Sequence, residues 1–412
     1  MTRTVALTDA VALPCGQQLP NRFMKSALSE ALADSRNRPT ERLERLYARW
    51  SDGGYGLVVT GNVQVDGRHL GEPGNVVVED DSNLDGLKRW AAGFKEGGTP
   101  LWMQINHPGR QSNPLARSKP VAPSAIAAKV PGATRPRELT DAEIVDIIER
   151  FATTAAVAEA AGFDGVQIHG AHGYLVTQFL SPLVNQRTDR WGGDATRRRQ
   201  FVLEIVRRIR SNVSPGFAVG IKLNSADFQR GGFTEDESRD VVRALVDEGI
   251  DMIEVSGGSY EAPAMMGAVR ASTAAREAYF LDYARSVADL AGNVPIAVTG
   301  GFRTLAAMAE AVSAGDCDIV GLGRPACTTP DAPSALLEQR TDKLTTGRIS
   351  LPMSGRIDDL RKLESLLDLQ WHTDQMHRMG DAKEPDHNRQ WWQTLVSTAV
   401  RNGTDTLRPK RG

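Results

Sequence analysis

Cysteine is scarce: 412 residues contain three, Cys15, Cys317 and Cys327. They form no CxxC pair and no zinc-ligand spacing, and their odd number gives no disulfide framework. That usage fits a reduced, cytoplasmic protein. No apolar run reaches membrane-spanning length, so no membrane partner is expected. The opening MTRTVALTDAVALPCG carries Arg3 and Asp9 in its short apolar stretch and makes a poor secretory signal. Charge of one sign is not in excess. The formal net charge of -2 excludes strong attraction to nucleic acid or an anionic membrane and favours a neutral small molecule as partner. No GxGxxG follows the first candidate strand, so the dinucleotide fingerprint is missing. Short repeats and low-complexity segments are also missing. What is present, 41% hydrophobic and 24% charged residues, is the composition of a globular chain with ample core.

Short β-branched or apolar runs alternate with longer helical patterns, the signature of a parallel sheet built from βα units. Eight strands are predicted: Phe23 to Ala27, Leu57 to Asn62, Leu101 to Ile105, Gly165 to His169, Ala218 to Leu223, Met252 to Ser256, Ile296 to Thr299 and Ile319 to Leu322. Helical stretches such as Thr140 to Ala161 and Thr234 to Glu248 lie between them. Thr140 with Glu143 reads as a capping box, and Gly162 and Gly249 sit where helix C-caps belong. Eight strands with mostly helical connections predict an α/β fold, a (β/α)8 TIM barrel over residues 1–345. The polar, helical segment 346–412 reads as a C-terminal extension packing on the barrel or on a neighbouring subunit. It holds Trp371, Trp391 and Trp392, which are expected to bury against something, and it ends in a basic tail, Arg408 to Arg411.

Barrel active sites sit at the C-terminal ends of the strands. The chemically active residues cluster at those ends: Ser26 to Ser29, Asn62, Gln104 with His107, His169 with His172 and Tyr174, Lys222 with Asn224, Ser256 with Gly257 and Gly258, Gly300 with Gly301, and Gly323 with Arg324. The densest segment is residues 162–193. Two imidazoles three residues apart on one loop can donate to a single small oxygen and steady a developing enolate or nitronate. Tyr174 offers a proton nearby. The same pair could equally be loop histidines satisfied by backbone. A metal site is the weaker alternative, because the spacing is not HExxH and no third ligand stands near, so no metal is expected.

The segments VTGGFRT (298–304) and IVGLGRP (319–325) are strand–glycine turn–helix junctions on the seventh and eighth strands, where barrels commonly hold a phosphate. Glycines let backbone N–H groups approach the anion, and Arg324 adds a fork donor. Ordinary barrel turns would also contain such glycines. Lys222, flanked by apolar residues, could form a Schiff base, bind an anion, neutralise a reduced cofactor, or be a solvated rim residue.

Together, LPNRFMKSALSE (19–30), GLVVTGN (56–62), LWMQINHPGRQS (101–112), IHGAHGYL (168–175), NQRTDRWGG (185–193), VTGGFRT and GLGRP resemble the Old Yellow Enzyme or NADH:flavin oxidoreductase family. The resemblance runs from about residue 19 to 325 and implies bound FMN. Gly300, Gly301, Gly323 and Arg324 would hold its phosphate. Gln104 would read the pyrimidine edge, and Lys222 would sit near N1 and O2. Ser29 would lie beside O4, with Ala27, Leu28 and Asn62 lining the ring. His169 and His172 would bind the substrate's carbonyl or nitro oxygen, and Tyr174 would be the proton donor. The implied activity is a ping-pong reduction of an electrophilic alkene (enone, enal or nitroalkene) by NADPH or NADH through flavin N5. Three positions depart from frequent family choices: Ala27 for Pro, Lys222 for Arg, and Ser29 for Thr or Cys. The tail beyond residue 345 has no cysteine with which to ligate an iron–sulfur cluster. The rivals are oxidative demethylation or thioester reduction at the same flavin site, a cofactor-free Schiff-base aldolase-type barrel using Lys222, and a barrel that only binds ligands. A homo-oligomer is possible.

Overall fold

The computed structural model describes residues 5–95, 98–113, 119–129, 133–257, 278, 280–347, 349 and 358–406. Gly258 and the basic tail Arg408 to Arg411 lie outside the described residues. Eight parallel strands carry the architecture: β1 (Phe23–Lys25), β2 (Leu57–Val59), β3 (Leu101–Asn106), β4 (Gly165–Gly170), β5 (Ala218–Asn224), β6 (Met252–Ser256), β7 (Ile296–Thr299) and β8 (Ile319–Leu322). Each pairs with the next, and β8 returns to β1 through Val320↔Phe23 and Leu322↔Lys25, closing the barrel. All eight predicted strands are present. β2 stops three residues early, because the Gly61 N–H leaves the ladder to donate to the Glu30 carboxylate at 2.8 Å. Asn62 therefore stands on the loop beyond β2, not on the strand.

The strands are wrapped by α1 (Glu41–Ser51), α2 (Leu84–Lys95), α3 (Asp141–Ala161), α4 (Gln200–Arg210), α5 (Glu235–Asp247), α6 (Leu281–Ala291), α7 (Leu305–Ser313) and α8 (Ala332–Leu337). The capping box of Thr140 and Glu143 opens α3, and Thr234 with Glu237 repeats it on α5. Gly162 ends α3 at φ 92°, a left-handed conformation that glycine adopts without Cβ strain.

Alternate residues of each strand point into the barrel. Near the strand starts, Met24, Leu57, Val59, Trp102, Ala218, Met252, Ala297 and Ile319 form a dry layer. Val11, Leu13 and Leu19 of an N-terminal hairpin, Val11–Ala12 paired with Gln18–Leu19, join that layer and plug this end. Cys15 N donates to Asp251, just before β6, and Gln17 reaches the Asp164 carbonyl, just before β4. With one mouth closed, a ligand can enter the barrel only from the C-terminal ends of the strands.

Two further helices follow, α9 (Asp358–Gly380) and α10 (Trp391–Thr406). α9 lies along α1: Arg45 donates to the Gly380 carbonyl at 2.9 Å, and Met376 and Met379 enter the main core. Of the three tryptophans expected to bury, Trp371 is 2% exposed but Trp391 and Trp392 are 41% and 53% exposed on this chain. α10 turns fully buried Thr394 inward, which puts its tryptophans on the outer side. No helix among the described residues is long and apolar enough to cross a membrane.

Candidate active site

His169 lies inside the end of β4, in phase with inward-facing Gln167. The chain then turns sharply, with His172 at φ 62° and Gly173 at φ 82°. Left-handed backbone is strained for a non-glycine residue, and three hydrogen bonds hold it. His172 N donates to Asn224 Oδ1 at 3.2 Å, its carbonyl accepts from Gln111 Nε2 at 3.0 Å, and its Nε2 lies 2.8 Å from Ser256 Oγ. The turn brings the predicted trio together. The His169 ring centroid lies 5.2 Å from that of His172 and 4.7 Å from that of Tyr174, both nearly edge-on. Asn62 Nδ2 reaches the Tyr174 hydroxyl at 3.4 Å.

His169 Nδ1 accepts from Ala171 N at 3.3 Å, so Nε2 carries the ring proton. Burial, with His172 and Lys222 alongside, holds His169 well below the ordinary imidazole range. Burial and Lys222 likewise bring His172 down to about 3. At neutral pH both rings are uncharged and each has one N–H to donate.

Beneath this trio runs a layer of buried polar side chains. Lys222 is 3% exposed, which excludes the rim reading, and its Nζ lies 3.0 Å from Glu254 Oε1. Glu254 Oε1 also accepts from Thr299 Oγ1 at 2.6 Å, and Thr299 Oγ1 lies 2.7 Å from Ser26 Oγ. Glu254 Oε2 accepts from Gln167 Nε2 at 2.8 Å, and Gln167 Oε1 accepts from Gln104 Nε2 at 2.7 Å. Gln167, Glu254 and Thr299 were not singled out from the sequence. The available signal was strand parity: Gln167 shares a face with His169, and Glu254 is the register partner of Lys222.

At the ends of β7 and β8, Gly300 and Gly301 adopt φ 127° and 97°. A Cβ on Gly323 would meet only a Leu28 methyl at 3.8 Å, so open space remains above it. Arg324 points one guanidinium nitrogen at Asp368 Oδ2 of α9, 3.2 Å away, so the extension touches this corner of the site. Ala27, Leu28 and Ser29 are half-buried. The Ser29 hydroxyl donates to the Glu72 carboxylate. Two glycines in left-handed backbone and a third facing open space have the backbone freedom that a phosphate site would need. The buried Lys222 ammonium and the Gln104 amide, whose NH2 is already given to Gln167, fit the pyrimidine end of FMN, which carries both carbonyl acceptors and an N–H donor.

One group among the described residues has metal-like spacing, Asp66 with His69 and His107. Arg68 already forks onto Asp66 at 2.7 to 3.1 Å. Gly109 N donates to His107 Nδ1 at 3.1 Å, which leaves the proton on Nε2. A cation there would face a neutralised carboxylate and an imidazole whose lone pair is used.

Residues 15–343 match the NADH:flavin oxidoreductase / NADH oxidase family. The chain is 39% identical over 353 residues to NADH-dependent flavin oxidoreductase iliE of Hypocrea jecorina (strain QM6a), covering 79% of this chain and 88% of that protein. It is 35% identical over 410 residues to NADH-dependent flavin oxidoreductase iccE of Talaromyces variabilis, covering 91% and 98%. An old yellow enzyme homologue from Zymomonas mobilis superposes with a TM-score of 0.70 at 21% identity, over 83% of this chain and 95% of that one, and shares the barrel. The chain belongs to the NADH:flavin oxidoreductase / NADH oxidase family and is a flavin-dependent oxidoreductase.

Proposed function

We propose that residues 1–345 bind FMN and use NADH or NADPH to reduce activated carbon–carbon double bonds in enones, enals or nitroalkenes. The observation that carries this reading is the grouping of His169, His172 and Tyr174 at the open end of the barrel. When bound, FMN would supply hydride chemistry, accepting two electrons from the nicotinamide and passing them to the alkene β-carbon. Gly300, Gly301, Gly323 and Arg324 would hold its phosphate, and Gln104 and Lys222 its pyrimidine edge. Ala27, Leu28, Ser29 and Asn62 would line the ring.

The two neutral imidazoles clamp the substrate oxygen by N–H donation. Each such donor is worth about 3 kcal/mol in a transition state that places charge on that oxygen. Tyr174 protonates the α-carbon, and Asn62 fixes the direction of its hydroxyl. The relatives named NADH-dependent favour NADH as the donor. Composition supports a cytoplasmic setting and small-molecule partners. The Schiff-base alternative loses support from Lys222, because its nitrogen is held against a buried carboxylate and is not free to attack a carbonyl.

The test is an absorption spectrum recorded anaerobically as NADH or NADPH and then 2-cyclohexenone are added. Flavin bands that bleach with the first and return with the second support the reading. Bands that stay bleached overturn the alkene substrate, and a colourless protein that takes up no FMN overturns the cofactor.

A further inference from the structure

The buried layer under the site has a direction. Glu254 is fully buried, and a carboxylate paired with an ammonium can only accept hydrogen bonds. Its Oε1 is taken by Lys222 and Thr299, and Oε2 receives the Gln167 amide. Gln167 must therefore turn its NH2 toward Glu254 and its carbonyl the other way. That carbonyl meets Gln104, which must in turn spend its NH2 on Gln167. The Gln104 Oε1 is the end that remains. A glutamine side chain has nearly the same shape in either orientation, so packing does not fix which end faces a ligand. The charge on Glu254, relayed through Gln167, does.

We propose that Glu254 is a positioning residue: through Gln167 it makes Gln104 a hydrogen-bond acceptor, matched to the imide N3–H of FMN. The inference rests on the FMN reading above. The flavin pyrimidine edge has one N–H flanked by two carbonyls. An amide turned the other way would set its NH2 against that N–H. Lys222 and Gln104 are thereby coupled through one carboxylate, which orders a cation and an acceptor along the same edge. Two neighbouring strand registers make this possible. Gln104 is the partner of Gln167 on β3 and β4, and Lys222 is the partner of Glu254 on β5 and β6.

The experiment uses the full chain with FMN labelled with 15N at N3. It reads the hydrogen-exchange rate of the bound N3–H by proton–nitrogen correlation, alongside the FMN dissociation constant. In the wild-type chain the N3–H is protected. Glu254→Gln and Gln167→Leu each remove the relay's polarity and speed exchange roughly tenfold or more. Loss of one buried hydrogen bond weakens FMN binding roughly five- to hundredfold. Gln167→Leu leaves the Lys222–Glu254 pair in place, so it decides the matter if Glu254→Gln does not fold. Thr299→Val also removes a donor from Glu254 but lies outside the relay, so protection should persist there. Undiminished protection in Gln167→Leu overturns the inference, as does an exposed N3–H in FMN-bound wild type. A wild-type chain that binds no FMN instead overturns the cofactor reading, and the inference with it.

Discussion

The Asn62 side-chain amide donates to the Tyr174 hydroxyl oxygen across 3.4 Å, joining the loop after β2 to the loop after β4. The hydroxyl oxygen accepts in that contact, and the Tyr174 ring stands nearly edge-on to His169 at the barrel mouth. Tyr174→Phe should slow the alkene half-reaction about 100-fold or more, the usual worth of a positioned general acid. Flavin reduction by NAD(P)H needs no proton from this residue and should hardly change. Stopped-flow traces of the two half-reactions separate the effects. An equal fall in both would remove Tyr174 from its role as proton donor.

Ser29 and Glu72 form the second relationship with a measurable consequence. While the hydroxyl donates to Glu72, it cannot also donate to a flavin carbonyl. Glu72→Leu releases that proton and removes a negative charge, and both changes stabilise a reduced, anionic flavin. The midpoint potential should rise. Ser29→Ala in the Glu72→Leu background should return only the hydrogen-bond part, and Ser29→Ala alone should move the potential little. A large shift from Ser29→Ala alone would show that the hydroxyl serves the cofactor directly.

The barrel was legible because each of its strands is a short apolar run bounded by turn residues, a local pattern. The strand-end residues were legible for the same reason, since a barrel places every such end on one face. Glu254 was not. Inside the run MIEVS a single acid looks like any strand residue, and its partner Gln167 lies 87 positions away. Parity with His169 turns Gln167 inward, but only the register of β5 on β6 sets Glu254 beside Lys222 and within reach of Gln167. The Ser29–Glu72 pair fails to show in the sequence on the same grounds, with 43 positions between its members. That Trp391 and Trp392 stand exposed on this chain could not be read from aromatic composition, which says nothing of helix rotation; buried Thr394 sets that rotation here.

His107 gives the fold a pH dependence whose sign is fixed. Its side chain is buried, and burial with His69 nearby brings it from the ordinary 6.5 down to about 3 despite the pull of Asp66. The unfolded chain takes up this proton near pH 6.5, whereas the folded chain refuses it until about pH 3. Stability from this residue is therefore complete above pH 6.5 and is lost progressively as pH falls toward 3. Urea midpoints measured from about pH 7.5 down to about pH 4.5 should decline, and His107→Gln should flatten that decline. An unchanged slope in the variant would show that other groups carry the acid sensitivity.

Arg324 is shared between two anions, the Asp368 carboxylate that it touches and the phosphate proposed to lie over Gly323. The open space above Gly323 and the left-handed turns at Gly300 and Gly301 leave room for the second beside the first. Arg324→Ala should weaken FMN binding roughly ten- to hundredfold, the worth of a hydrogen bond to a charged group. Riboflavin, which lacks the phosphate, should bind the variant and the wild-type chain equally. Asp368→Asn should act in the opposite direction, tightening FMN by freeing the guanidinium while leaving riboflavin unaffected. Fluorescence titrations of the two flavins against the three proteins give all six constants. If riboflavin and FMN weakened together in Arg324→Ala, the residue would be bracing α9 against the barrel and not holding the phosphate.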